Sequence, residues 1–182
     1  MAFLALAAGT APAAPVTLAE LMQMLGSVET SNARFVETRE SALLKSPLVL
    51  KGTLAYRRPD RIEKHVLAPR EERIIVEGGR LTFEGGAQKS RRTMSVNSAP
   101  GLAALVESIR ATRAGDLAAL QRHYDVQVDG TREEWSLTLK PLDSRVADYV
   151  SSIALAGSGP RVSRMVVHEA GGDRSVMEIE ER

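Results

Sequence analysis

Between Ala33 and Glu84 apolar side chains recur at every second position. The runs lie near Arg34 to Leu43, Leu48 to Arg57, Arg61 to Leu67, Arg73 to Glu77 and Arg80 to Glu84. A period of two is the signature of strands with one face in a core. Pro47, Pro59, Pro69 and the pairs Gly78-Gly79 and Gly85-Gly86 punctuate these runs. Proline withholds a ladder donor and glycine admits positive φ, so the connections are tight turns and the neighbours antiparallel. The same period returns at Tyr124, Val126 and Val128, in Glu134 to Lys140, and near Asp148 to Ala156, Val162 to Glu169 and Arg174 to Glu180.

Helical spacing interrupts the pattern in a few places. Val16, Thr17, Glu20 and Leu21 occupy the N′, N-cap, N3 and N4 positions of a capping box with a hydrophobic staple. The helix they open carries Leu18, Leu21, Met22, Leu25 and Val28 on one stripe. Pro100 opens a second helix with Leu102, Leu105, Val106 and Ile109 on one face through Thr112, and Asp116 caps a short third containing Leu117, Ala118 and Leu120. About ten strands with two or three amphipathic helices predict an α+β fold. Its expected form is a single strongly curved antiparallel sheet, a half-open β-barrel, with the helices covering its concave side as a lid.

Residues 16–182 read as one domain. Residues 1–15, MAFLALAAGTAPAAP, read as the remnant of a secretory signal or a disordered tail, which points to export; the resemblance described below implies the periplasm of a Gram-negative bacterium. No apolar run reaches the roughly 18 to 20 residues of a transmembrane segment. The absence of cysteine excludes disulfides and thiolate chemistry. With 24 basic and 23 acidic side chains there is no global field for nucleic acid, and the run Lys89-Ser90-Arg91-Arg92 reads as a solvated strand edge. His65, His123 and His168 lack ligand spacing, and no nucleophile elbow or phosphate loop is present. Glu71-Glu72 and Glu133-Glu134 sit beside turns, where solvation accounts for them. The expectation is a protein that is not an enzyme and uses no metal or cofactor.

One charge stands out. Counting by twos from Leu54 through Tyr56 places Arg58 on the apolar face, with Thr53, Ala55 and Arg57 opposite. An unpaired buried arginine costs several kcal/mol, so Arg58 is either paired inside or an end-of-strand side chain snorkelling to water. The pattern alone leaves both open.

Several segments together carry a resemblance: A-R-F-V-E at Ala33 to Glu37, G-T-L-A-Y-R-R-P at Gly52 to Pro59 and I-I-V-E-G-G-R-L-T-F at Ile74 to Phe83. A-G-D-L-A-A-L at Ala114 to Leu120 and W-S-L-T-L-K-P at Trp135 to Pro141 complete it. In order and spacing they resemble the LolA-like periplasmic carriers of outer-membrane lipoproteins. The resemblance implies a lipid-binding cavity between sheet and lid, lined here by Phe35, Leu54, Tyr56, Phe83, Leu102, Leu105, Ile109, Trp135 and Leu137. Arg58, directly before the proline, matches the arginine that bonds to the lid helices when the cavity is empty. The implied partners are an acylated cargo (a lipoprotein or another lipid), an inner-membrane donor complex or exporter, and an outer-membrane acceptor, with the carrier itself a monomer. Few aromatics and an end at Arg182, soon after the last expected strand, set the chain apart and suggest a divergent short member. A lipid-binding envelope-stress sensor or interaction domain on the same fold is the alternative.

Overall fold

The computed structural model describes residues 13–85, 90–98 and 100–181, so residues 1–12 of the expected leader lie outside the described residues. The helices are α1 (Leu18–Gly26), α2 (Pro100–Ala114), α3 (Leu117–His123) and α4 (Ser144–Ala147). The first six strands are β1 (Thr30–Glu40), β2 (Leu48–Arg57), β3 (Arg61–Ala68), β4 (Glu72–Glu77), β5 (Arg80–Gly85) and β6 (Ser90–Ser95). They are followed by β7 (Tyr124–Gly130), β8 (Trp135–Pro141), β9 (Val150–Ser158), β10 (Arg161–Glu169) and β11 (Arg174–Glu181). All join one 11-stranded antiparallel sheet in the order β6-β5-β4-β3-β2-β1-β11-β10-β9-β8-β7. Its two ends do not pair with each other, so the barrel stays open.

The strand beyond the expected ten is β6, whose SRRTMS sequence lacks an apolar alternation. It is an edge strand with Arg91 and Arg92 exposed, where backbone pairing to β5 holds it in place of a buried face. Helix α4 also has no apolar stripe; the Asp143 carboxylate that accepts from the Arg145 amide at 2.9 Å closes its single turn.

The start of α1 follows from its capping residues. Thr17 Oγ1 accepts from the Glu20 amide at 3.3 Å, and the Glu20 carboxylate accepts from the Thr17 amide at 2.9 Å. Val16 and Leu21, the expected staple, are both buried in the main core. That core packs Leu21, Met22 and Leu25 of α1 and Leu120 of α3 onto Trp135, Leu137, Leu139 and Ile153 of β8 and β9. Glycine makes room for the aromatics. A Cβ at Gly157 would lie 2.5 Å from Trp135 Cζ2, and one at Gly52 would lie 2.9 Å from Phe35 Cε1. A second, smaller cluster joins Val76, Leu81 and Val106. Helix α2 therefore reaches from the first core to the far wing of the sheet.

Candidate functional site

Beneath α2 lies a cavity of about 280 Å³. Strand register builds its floor. Glu181, Ala33, Leu54, Lys64 and Ile74 stand opposite one another in successive strands, and Ser31, Tyr56, Ile62 and Val76 form the next row. Residues directly opposite share a sheet face, so each row points one way. Val106, Ile109, Thr112 and Arg113 of α2 form the roof, and Leu155, Val162, Met165 and Met177 supply the wall toward the main core. The three- and four-residue steps of the roof residues set one helical face against the cavity.

Two buried charged clusters break the apolar lining, and the exposed Glu169 adds a charge to it. At one end Glu37 is 3% exposed, its Oε1 accepting from Arg39 Nε at 2.8 Å and from Ser175 Oγ at 2.7 Å, while Oε2 accepts from Lys64 Nζ. Lys64 Nζ also stands 5.0 Å from the Phe35 ring centroid. Burial opposes ionisation of Glu37, but the Lys64 charge and hydrogen bond, the Arg39 charge and the Ser175 hydrogen bond together hold its carboxyl below the usual range. Burial lowers the Lys64 ammonium, offset in part by Glu37. The low Glu37 value favours an ion pair and the low Lys64 value opposes it. Three donors converging on one carboxylate decide for the ionised form.

The second charged group ties the roof to the floor. Arg113 Nη2 of α2 pairs with Glu181 of β11, with side chains 9% and 10% exposed respectively. Its Nη1 donates to the Pro160 carbonyl at 3.3 Å, and its guanidinium carbon lies 6.0 Å from the Tyr56 ring centroid. Among the described residues, the buried hydroxyls Tyr56 Oη and Thr112 Oγ1, both on cavity-lining residues, have no hydrogen-bond partner.

Leu54, Tyr56 and Ile109 line the cavity. Phe35 is buried on the same face but lies over Gly52 in the adjoining core. Trp135 and Leu137 are in the main core away from the lining, Trp135 Nε1 donating to the Gly159 carbonyl at 2.9 Å. Phe83 is half-buried on β5, one strand beyond the lining residue Ile74. The side chains of Leu102 and Leu105 lie outside the described residues.

Of the two placements that the alternation left open for Arg58, the structure shows the end-of-strand one. Strand β2 ends at Arg57, and Arg58 begins the turn to β3, so the period of two does not extend to it. Its side chain is exposed and outside the cavity lining, and its Nη2 donates to the Gly26 carbonyl at the end of α1. Its amide also donates to the Glu29 carbonyl at 2.9 Å.

The buried charges went unnoticed in the sequence although the same alternation contains them. Ala33, Phe35 and Glu37 share a face of β1, as do Ile62, Lys64 and Val66 of β3. Arg113 follows Val106 and Ile109 at helical spacing and falls just past the expected helix end, whereas α2 runs to Ala114.

The profile described as "Outer membrane lipoprotein carrier protein LolA-like" matches residues 10–175. The chain belongs to this LolA-like family. No curated protein sequence matches it. Among solved structures, an uncharacterised conserved protein from Thermus thermophilus superposes with a TM-score of 0.51 at 10% identity, covering 91% of this chain and 83% of that one. MucB superposes with a TM-score of 0.51 at 13% identity over 91% of this chain, which spans 58% of MucB. The LolA superfamily protein NE2245 from Nitrosomonas europaea matches at 12% identity and a TM-score of 0.49, covering 90% and 89% of the two chains. At these identities the likeness is one of fold.

Proposed function

We propose that this protein is a periplasmic carrier that holds an acyl chain of a lipoprotein or other lipid between sheet and α2 and hands it toward the outer membrane. The observation that carries the reading is the cavity itself, about 280 Å³, roofed by one amphipathic helix and walled largely by Leu, Ile, Val and Met side chains. At ~30 Å³ per solvent-sized group such a space holds about nine such groups, the scale of one medium acyl segment. Each buried methylene contributes roughly 0.8 kcal/mol, so one segment supplies useful affinity without irreversible capture. Family membership supports the same reading, and an inner-membrane donor and outer-membrane acceptor are the partners it requires.

Arg58 acts in this proposal as a fastening outside the cavity. Its bond to the Gly26 carbonyl ties the β2–β3 turn to the C-terminal end of α1, where a cation also meets the negative end of the helix dipole. Arg58→Leu is expected to bind lipid at least as well as the parent and to release it more slowly to an acceptor. Unchanged transfer removes Arg58 from the mechanism.

Native mass spectrometry of protein isolated from periplasm tests the carrier reading. Acylated adducts are expected; their consistent absence, together with failure to bind a fluorescent fatty acid, overturns it. Periplasmic crosslinking separates this reading from an interaction domain on the same fold. A carrier captures a donor and an acceptor, whereas a sensor captures a single regulatory partner.

A further inference from the structure

The polar groups around the cavity differ in what they lack. Glu37 is saturated by Arg39, Lys64 and Ser175, and Arg113 and Glu181 satisfy each other. Tyr56 and Thr112 are different. Tyr56 is 7% exposed and Thr112 is 1% exposed, both line the cavity, and neither hydroxyl has a partner among the described residues. A buried hydroxyl without a hydrogen bond loses its hydration without compensation, a penalty that a bound polar atom removes. Thr112 precedes Arg113 on the roof, and Arg113 lies over the Tyr56 ring. Both hydroxyls belong to residues that line this one cavity, one on its roof and one on its floor.

We infer that Tyr56 and Thr112 form a polar subsite for the neutral carbonyl of an acyl ester or amide, whose hydrocarbon tail fills the rest of the cavity. This rests on the carrier reading above and specifies which part of the cargo is recognised. Both hydroxyls donate, and a carbonyl oxygen has two lone pairs to accept them. Charge selects neutrality. Arg113 is already compensated by Glu181, so a carboxylate in the subsite would face a second carboxylate, and a cation would face the guanidinium. An ester or amide carbonyl meets neither objection.

Displacement of N-phenyl-1-naphthylamine by methyl decanoate, decanoate and decane, measured on the parent, Tyr56→Phe and Thr112→Val, tests the subsite. Tyr56→Phe removes the hydroxyl and keeps the ring, and Thr112→Val replaces the hydroxyl with a methyl and keeps the branch. The parent is expected to bind methyl decanoate more tightly than decanoate at neutral pH. Each variant is expected to lose about fivefold in methyl decanoate affinity, the value of one hydrogen bond, with decane changed less than about twofold. The melting temperature of each ligand-free variant is expected to equal or exceed the parent's. Equal losses for ester and alkane, no loss for either, or a preference for decanoate would overturn the inference while leaving the cavity reading intact. A drop in melting temperature would assign the hydroxyls to internal bonds and also overturn it. If the parent binds none of the probes, the inference and the carrier reading fall together.

Discussion

Replacing Arg113 with methionine removes the guanidinium that joins roof to floor and leaves Glu181 without its buried partner. Both side chains of the pair are about nine-tenths buried, so solvent does little to screen the change. Breaking a buried pair from one side costs about 3–5 kcal/mol, because the remaining charge stays in a poor solvent. The hydrogen bond to Pro160 and the contact over the Tyr56 ring are lost as well. Against a total stability of about 5–15 kcal/mol this is a large fraction. With a urea slope of about 2 kcal/mol/M, the unfolding midpoint of Arg113→Met should fall by about 1.5–2.5 M. Adding Glu181→Leu removes the orphaned carboxylate and replaces the pair with apolar volume, which is expected to return stability to within about 1 kcal/mol of the parent. Glu181→Leu alone strands Arg113 in the same way, so the double-mutant cycle should show a coupling of at least about 2 kcal/mol. A loss below about 1 kcal/mol for Arg113→Met, typical of an exposed pair, would refute the placement of Arg113 in a desolvated site. Additive losses in the double variant would refute it equally.

The Glu37 carboxyl is held below its usual range, so the stability it contributes is present above the unfolded carboxylate value near pH ~4.3 and is lost as pH falls through the lowered folded value. Glu37→Gln should therefore flatten the acid side of a melting-temperature profile recorded from neutral pH to about pH 3, and parallel profiles for variant and parent would count against the ionised pair. Gly157→Ala would place a Cβ 2.0 Å from the Arg161 carbonyl oxygen and 2.5 Å from Trp135 Cζ2. The strand and indole must move apart, at a cost of about 1–3 kcal/mol by urea unfolding, and an unchanged midpoint would show that Trp135 does not rest on this glycine.

The sheet was legible because its cause is local. Alternation at Leu54 and Tyr56, proline at 47, 59 and 69, and the Gly78-Gly79 turn each act within a few residues, and together they leave little choice but an antiparallel meander. Thr17 and Glu20 set the first helix start in the same way. Strand β6 was legible only as a charged, solvated edge at Ser90-Arg91-Arg92, since its mostly exposed side chains hold no apolar alternation and its extent depends on the hydrogen bonds offered by β5. The site was legible only where it reused a strand period. Leu54 and Tyr56 obey it, but Arg58 stands one residue past the end of β2, where the turn redirects the side chain. The partnership of Arg113 with Glu181 spans 68 positions, and no local rule brings such a pair together.

That pairing has a consequence for how the roof works. A buried ion pair contributes little net stability compared with apolar packing of the same volume, yet it is unforgiving of displacement, because a small shift leaves two charges poorly solvated. The roof of the cavity is held at its C-terminal end by such a pair and near its middle by the small cluster of Val76, Leu81 and Val106. Helix α1, in contrast, is fixed by Leu21, Met22 and Leu25 in the main core. Both helices share the main core, α1 through these large side chains and α2 through Ala111 and the half-buried Ile109, and α2 also carries the buried ion pair. For the proposed carrier, α2 is then the element able to lift. Its closed position is sharply specified when the cavity is empty, while the modest net energy of the contact leaves an acyl chain able to displace it and, at the acceptor, to leave again.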